Sequence, residues 1–256
     1  MKPDFIRRFK PEWFATLLTL PGGIVAGFFL AGGPDGAPFL WMRFAWLAAL
    51  VSATFLAGKL MASYRGEGAS LARSLAFAAL HGLAVVAGAS LHGTPSGEKL
   101  PFAGQPAAVY MGASAVFLYA AAAGVALRFG KSGEGEAPGK AHALPFAAAV
   151  AGLVPVLGAF LPASGDKPSA FLPLALFASA LVALHALMLW RTYPRYAGVS
   201  GLVTRHLRNL VRVQAALVAA TAAAGGQDAA VAMAAALGLY AVSALFNWFR
   251  KPFETP

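Results

Sequence analysis

Long apolar stretches alternate with short polar gaps along the whole chain. A membrane-spanning helix needs about 20 mainly apolar residues, because each residue adds about 1.5 Å. Eight stretches reach this length, and the gaps between them are rich in Gly, Pro, Ser and charge. The pattern predicts an all-α, polytopic transmembrane helix bundle, one integral membrane domain over residues 1–256. The eight spans are predicted near residues 14–31, 39–61, 72–92, 106–128, 143–162, 169–190, 206–224 and 229–249.

The distribution of basic residues predicts the orientation of these spans. Of the 20 Lys and Arg residues, all but Arg43, Lys99 and Lys167 lie on one set of alternating gaps. Loops on the cytoplasmic side of a membrane carry the excess of Lys and Arg. We therefore expect both termini on the cytoplasmic side, with the protein in the bacterial inner membrane.

Composition supports the membrane interpretation and narrows the chemistry. The chain is 59% hydrophobic and 12% charged, whereas a soluble domain carries about 25% charged residues. The lipid bilayer is thus the expected partner, and the +10 charge is explained by orientation, so no nucleic-acid partner is predicted. There are no cysteines, which excludes thiolate-held iron–sulfur clusters and thiol catalysis. We predict no metal site and no catalytic centre in this chain alone.

Small residues four positions apart occur inside several predicted spans. Such pairs let helix backbones approach closely in lipid, although general enrichment in Ala and Gly explains any single pair equally well. The pairs are Gly23 and Gly27, Ala148 and Gly152, and Ala234 and Gly238.

His81 is the ionisable residue predicted nearest the middle of the membrane. An intramembrane histidine suggests a functional site, and the alternative is a neutral imidazole hydrogen-bonded to a neighbouring helix. A haem held by two histidines needs ligands at similar depth. His185 is the nearest candidate, but it is offset from His81 by about five residues, or roughly 7 Å. Haem is therefore not the expected cofactor.

The acidic residues restrict the kind of transport that the protein can perform. All ten lie in the gaps or termini, whereas cation- and proton-driven transporters usually hold their ion on a buried carboxylate. The pattern argues against a cation pump. It leaves open an anion pathway, or a subunit whose chemistry belongs to a quinone or to a partner protein.

The densest basic stretch covers residues 191–212. It has two interpretations: a topology signal with contacts to anionic lipid, or a docking face for a partner protein or a quinone head group. Tyr64 and Arg65, after the second span, present the same alternatives. The predicted docking residues are Arg205, His206, Arg208 and Arg212.

Short strings spread over most of the chain resemble a known family. Glu12-Trp13 followed by Thr19 and Gly22, the segment 52–58 followed by Tyr64-Arg65, and the string at 206–208 are similar to the membrane-anchor subunits of DMSO-reductase-type molybdenum enzymes. At residues 56–60 the sequence Leu-Ala-Gly-Lys-Leu lacks the His and Pro of that family's usual string.

This resemblance implies an eight-span subunit of an anaerobic respiratory complex. Such a subunit exchanges electrons between quinone, the implied cofactor, and an iron–sulfur partner that works with a molybdopterin subunit. Arg65, by its match to the family string, and the adjacent Tyr64 are then expected at the quinone. His81 joins this predicted quinone-binding set only because of its depth.

A second resemblance covers a shorter stretch. Residues 9–15, Phe-Lys-Pro-Glu-Trp-Phe-Ala, are similar to the start of the first span in the tellurite-resistance and dicarboxylate transporter family. That family includes anion channels and needs no buried acid. It implies the alternative function, a small-anion channel or uncoupled carrier.

Overall fold

The computed structural model describes residues 11–32, 69–92, 106–129, 140–161, 169–191, 199–225 and 228–245. These residues form α-helices with one short 3-10 helix, Lys140–Ala143, and contain no strand. The helices are α1 (Pro11–Leu30), α2 (Ala69–His92), α3 (Ala107–Phe129), α4 (Leu144–Phe160), α5 (Leu172–Arg191), α6 (Val199–Ala223) and α7 (Ala229–Leu245). The predicted all-α class is confirmed for this part of the chain.

Four segments within these helices are long and apolar enough to cross a membrane: Leu71–Leu91, Ala107–Leu127, Ala141–Phe160 and Leu172–Arg191. Two shorter apolar helical segments, Thr19–Leu30 and Ala229–Ala244, accompany them. Each coincides with a predicted span. The predicted second span, residues 39–61, lies outside the described residues.

The outer faces of α4, α5 and α7 are apolar. Val154 on α4 is 60% exposed, and Phe177 on α5 and Leu237 on α7 are each 61% exposed. Large apolar side chains cover much of the outside of the bundle, which is the expected surface of helices in contact with lipid tails.

Helix α6 occupies the middle of the described bundle, because α1, α3, α4, α5 and α7 all pack against it. Between Leu210 and Ala223 every residue except Arg212 and Thr221 is buried. This helix begins at Val199, seven residues before the predicted start of the seventh span at residue 206. Its first half is rich in polar residues. Hydropathy alone therefore does not locate the start of this helix.

Glycines bring α1 and α2 into backbone contact. A Cβ atom on Gly27 would collide with the carbonyl group of Val85, and one on Gly88 would collide with the carbonyl group of Ile24. Each helix thus supplies a glycine that receives a carbonyl group of the other. Of the predicted small-residue pairs, Gly27 and also Gly152, whose added Cβ would lie 2.6 Å from that of Ala115, mark close contacts.

The turn before α5 is fastened to the end of α6. The Ser169 hydroxyl donates to the carbonyl oxygen of Ala222 at 3.0 Å and accepts from the backbone N–H of Phe171 at 3.2 Å. Gly225 follows α6 with φ +82°, the left-handed conformation that glycine adopts easily after a helix. One serine therefore holds the turn before α5 and satisfies a carbonyl at the end of α6.

Candidate functional site

Three of the eight buried polar residues of the described bundle lie on the first two thirds of α6. His206, Asn209 and Gln214 are 3%, 0% and 0% exposed, and Arg205, Arg208 and Arg212 on the same helix are half-buried. Polar groups inside a membrane bundle are costly and usually functional. We call the group formed by Tyr119, His206 and Asn209 the polar node.

The polar node joins α6 to α3 through the Tyr119 hydroxyl. The Asn209 side-chain amide donates to the Tyr119 oxygen at 2.9 Å, and the same oxygen lies 3.4 Å from Nδ1 of His206. The Tyr119 hydroxyl keeps its own proton, which it can donate to Nδ1 of His206. In the arrangement in which Nδ1 accepts, a neutral His206 carries its ring proton on Nε2, and Nε2 is a hydrogen-bond donor.

Two atoms of the polar node have no hydrogen-bond partner among the described residues: Nε2 of His206 and Oδ1 of Asn209. The first is a donor in this arrangement, and the second is an acceptor. Buried polar atoms are normally hydrogen-bonded, and an exception in a bundle requires an explanation. A small molecule that carries a carbonyl or hydroxyl oxygen has the complementary groups.

Arginines occupy another face of α6. Arg205, Arg208 and Arg212 follow each other at intervals of three and four residues, which places them on one side of a helix. Nε of Arg212 donates to the Ser243 hydroxyl of α7 at 3.3 Å, and that hydroxyl donates to the Tyr240 carbonyl oxygen at 2.7 Å. The arginine face is therefore attached to α7.

Helix α5 borders the same arginine face. The positive charges of Arg205, Arg208 and Arg212 all act on His185 of α5, so this histidine lies near them. The Tyr240 hydroxyl of α7 donates to the carbonyl oxygen of Ala178 on α5 at 2.8 Å. The arginines thus lie between α5 and α7.

His81 lies away from this region, between α1 and α2, with no exposed surface. Its Nδ1 donates to the Phe77 carbonyl oxygen at 2.8 Å, and its Nε2 lies 2.6 Å from the Thr19 hydroxyl. A carbonyl oxygen can only accept, so Nδ1 carries the proton and Nε2 of a neutral ring accepts from Thr19. The structure therefore shows His81 as a link between two helices, which is one of the two alternatives that the sequence left open.

The predicted site residues are thus distributed over separate places. Tyr64 and Arg65 lie outside the described residues, and His81 has both ring nitrogens hydrogen-bonded to protein atoms. Of the predicted docking residues, His206 is buried against Tyr119, and Arg205, Arg208 and Arg212 lie half-buried between helices. The quinone contact and the docking role of these residues stay predictions. Of the two histidines considered as haem ligands, His81 lies between α1 and α2, and His185 lies on α5, beside the arginines.

Sequence reasoning did not identify Tyr119, Asn209 or Gln214. Tyr119 resembles any other aromatic residue in an apolar helix, and its position in the hydrogen-bond chain depends on α6. Asn209 and Gln214 do carry a signal, because amide side chains are rare in lipid-facing helices. The neighbouring arginines dominate this stretch of sequence, and the whole stretch is therefore interpreted as a basic surface.

The chain matches no family model, no curated protein and no solved structure. The assignment of a function therefore depends on the residues themselves.

Proposed function

We propose that this protein is the quinone-binding membrane anchor subunit of a respiratory oxidoreductase complex, embedded in a bacterial inner membrane. The observation that carries this proposal is the polar node, a buried hydrogen-bond chain with one donor and one acceptor unused among the described residues. Its location in a bundle with an apolar outer surface suits a ligand that is itself dissolved in lipid.

A quinone head group has the chemistry that the polar node can recognise. Its carbonyl oxygens accept hydrogen bonds, and the reduced form presents hydroxyl groups that donate them. His206 Nε2 offers a proton to a carbonyl oxygen, and Asn209 Oδ1 accepts from a hydroxyl. Arg212 lies on the same helix as His206 and Asn209, and a positive charge near a bound quinone favours negative charge that develops on a ligand oxygen during reduction.

A redox partner belongs to the same proposal. The chain has no cysteine and thus cannot hold an iron–sulfur cluster through thiolates. Electrons therefore reach or leave the quinone through another subunit, in agreement with the resemblance to molybdenum-enzyme anchors. The eight-span topology with cytoplasmic termini is also part of the proposal, supported by the basic residues and by the four span-length helices.

The test of quinone binding is a titration of the purified protein with short-chain ubiquinone and menaquinone analogues. Tyr119→Phe removes the hydroxyl that orients His206, and we expect about tenfold weaker binding, the loss of one good hydrogen bond. Tyr110→Phe is the matched control, since Tyr110 lies on the same helix and is 44% exposed. Absence of binding to the wild-type protein would refute the quinone proposal.

The arginine face favours a second candidate, a small-anion channel or uncoupled carrier. Three arginines inside a membrane bundle give a positive path for an anion. Flux of chloride or a dicarboxylate through proteoliposomes tests it, with Arg212→Gln as the variant. Conductance that is absent at every voltage would eliminate this candidate and leave the quinone proposal unaffected.

A further inference from the structure

The half-buried arginines of α6 lie between α5 and α7. Nε of Arg212 donates to the Ser243 hydroxyl of α7. His185 of α5 lies within electrostatic range of all three arginines. The hydrogen bond from Tyr240 to the Ala178 carbonyl also connects α5 with α7. We call this feature the arginine groove.

The rims of the arginine groove are apolar and face outward. On α5, Leu181 and Met188 lie one turn to either side of His185 and are 37% and 42% exposed. On α7, Leu237 lies one turn before Tyr240 and is 61% exposed. Residues one turn apart share a helix face. The groove therefore combines a cationic floor with walls that lipid tails can cover.

The position of the arginines fits the head-group region of the bilayer. Seven residues separate Arg205 from Arg212, which is about 10 Å along the helix. Arg205 lies nearer the start of α6, the predicted cytoplasmic side, and Arg212 lies deeper. Arginines at these different depths can hold the phosphate of a lipid at the membrane interface. The acyl chains of that lipid then extend towards the middle of the bilayer.

We propose that the arginine groove binds the phosphate of an anionic phospholipid, with the acyl chains lying along the outer faces of α5 and α7. Guanidinium groups bind phosphate oxygens through paired hydrogen bonds, and basic sites between transmembrane helices suit anionic head groups. A topology signal requires only charge at the membrane edge. It does not require an arginine attached to a neighbouring helix, as Arg212 is attached to Ser243.

Native mass spectrometry of the full chain in mild detergent tests this proposal with phosphatidylglycerol and phosphatidylcholine as probes. We expect the wild-type protein to retain phosphatidylglycerol in preference to phosphatidylcholine. The double variant Arg208→Gln with Arg212→Gln should bind phosphatidylglycerol about 25-fold more weakly, about fivefold for each lost charge. Arg73→Gln is the control, since it removes one positive charge from an exposed arginine on α2.

The conservative variant Arg208→Lys with Arg212→Lys keeps the charge and should keep most of the preference, which separates loss of charge from misfolding. For the wild-type protein, equal retention of the two lipids would overturn the proposal without any variant. It is also overturned if the Gln double variant and Arg73→Gln retain equal amounts of phosphatidylglycerol. Loss of bound quinone rather than phospholipid from the double variant would instead assign the groove to the quinone.

Discussion

The Thr19 hydroxyl and Nε2 of His81 lie 2.6 Å apart and join α1 to α2 inside the bundle. Both side chains are completely buried. The second ring nitrogen of His81 is bonded to Phe77 of its own helix. The hydrogen bond between Thr19 and His81 therefore provides both polar side chains with a partner in the apolar interior, and it fixes α1 and α2 relative to each other.

Because Thr19 and His81 are in contact, we expect the effects of their substitutions on the free energy of unfolding to be non-additive. Thr19→Val keeps the shape and removes the hydroxyl, which leaves Nε2 without its partner, so we expect a loss of about 1 kcal/mol in the free energy of unfolding. The double variant Thr19→Val with His81→Leu should recover part of this loss, because neither polar group remains. Unfolding in mixed micelles by increasing SDS measures both effects.

Thr221→Val is the control for this cycle. Its hydroxyl donates to Val218 within the same helix, so its removal should change stability less. Additive effects of the Thr19 and His81 substitutions would show that the two side chains do not stabilise the fold through their contact.

The close contact between α1 and α2 predicts that neither Gly27 nor Gly88 tolerates a side chain. An added Cβ meets a backbone carbonyl group in each case, and backbone cannot move aside as a flexible side chain can. We expect Gly27→Ala and Gly88→Ala each to cost about 1–3 kcal/mol, the usual range for overpacking. The melting temperature in detergent is the measurement.

Gly238→Ala provides the contrast on α7. A Cβ at Gly238 has no neighbour within 4 Å in the described part of the chain, and alanine favours a helix more than glycine does. This variant should be neutral or slightly more stable. If Gly27→Ala melts at the wild-type temperature, the two helices do not approach as closely as described.

Replacement of Gln214 by an apolar residue is expected to stabilise the protein. Its amide is fully buried against Gly22 and Gly23 of α1, and neither its nitrogen nor its oxygen has a hydrogen-bond partner among the described residues. Replacing an unsatisfied amide by an apolar side chain of similar length removes a desolvation cost. We expect Gln214→Met to stabilise the protein by about 1 kcal/mol in thermal unfolding. A destabilised variant would mean that the amide has a bonding partner in the membrane.

Substitution of Ser169 measures the contribution of the turn before α5. Ser169→Ala removes both the bond to Ala222 and the bond from Phe171. We expect a loss of about 1 kcal/mol, as for the removal of a helix cap. Ser114, an exposed serine on α3, serves as the control, and equal effects of Ser169→Ala and Ser114→Ala in thermal unfolding would contradict the stabilising role of these two bonds.

The sequence alone was sufficient to locate most helices. The segment predicted as a span over residues 72–92 corresponds to α2, Ala69–His92, and that over 169–190 corresponds to α5, Leu172–Arg191. Both are mainly apolar, as expected of helices that present one face to lipid and the other to protein. In such helices hydropathy and length together determine where a span lies.

Helix α6 shows what only the tertiary structure decided. Hydropathy assumes lipid around a helix, whereas five neighbouring helices pack against α6, so its amides lie inside the bundle and its arginines are half-buried. The sequence determined that these residues are polar and that the chain is helical. Their partners come from α3, α5 and α7, which lie far away along the chain, and no local pattern encodes that Asn209 meets Tyr119 or that Arg212 meets Ser243.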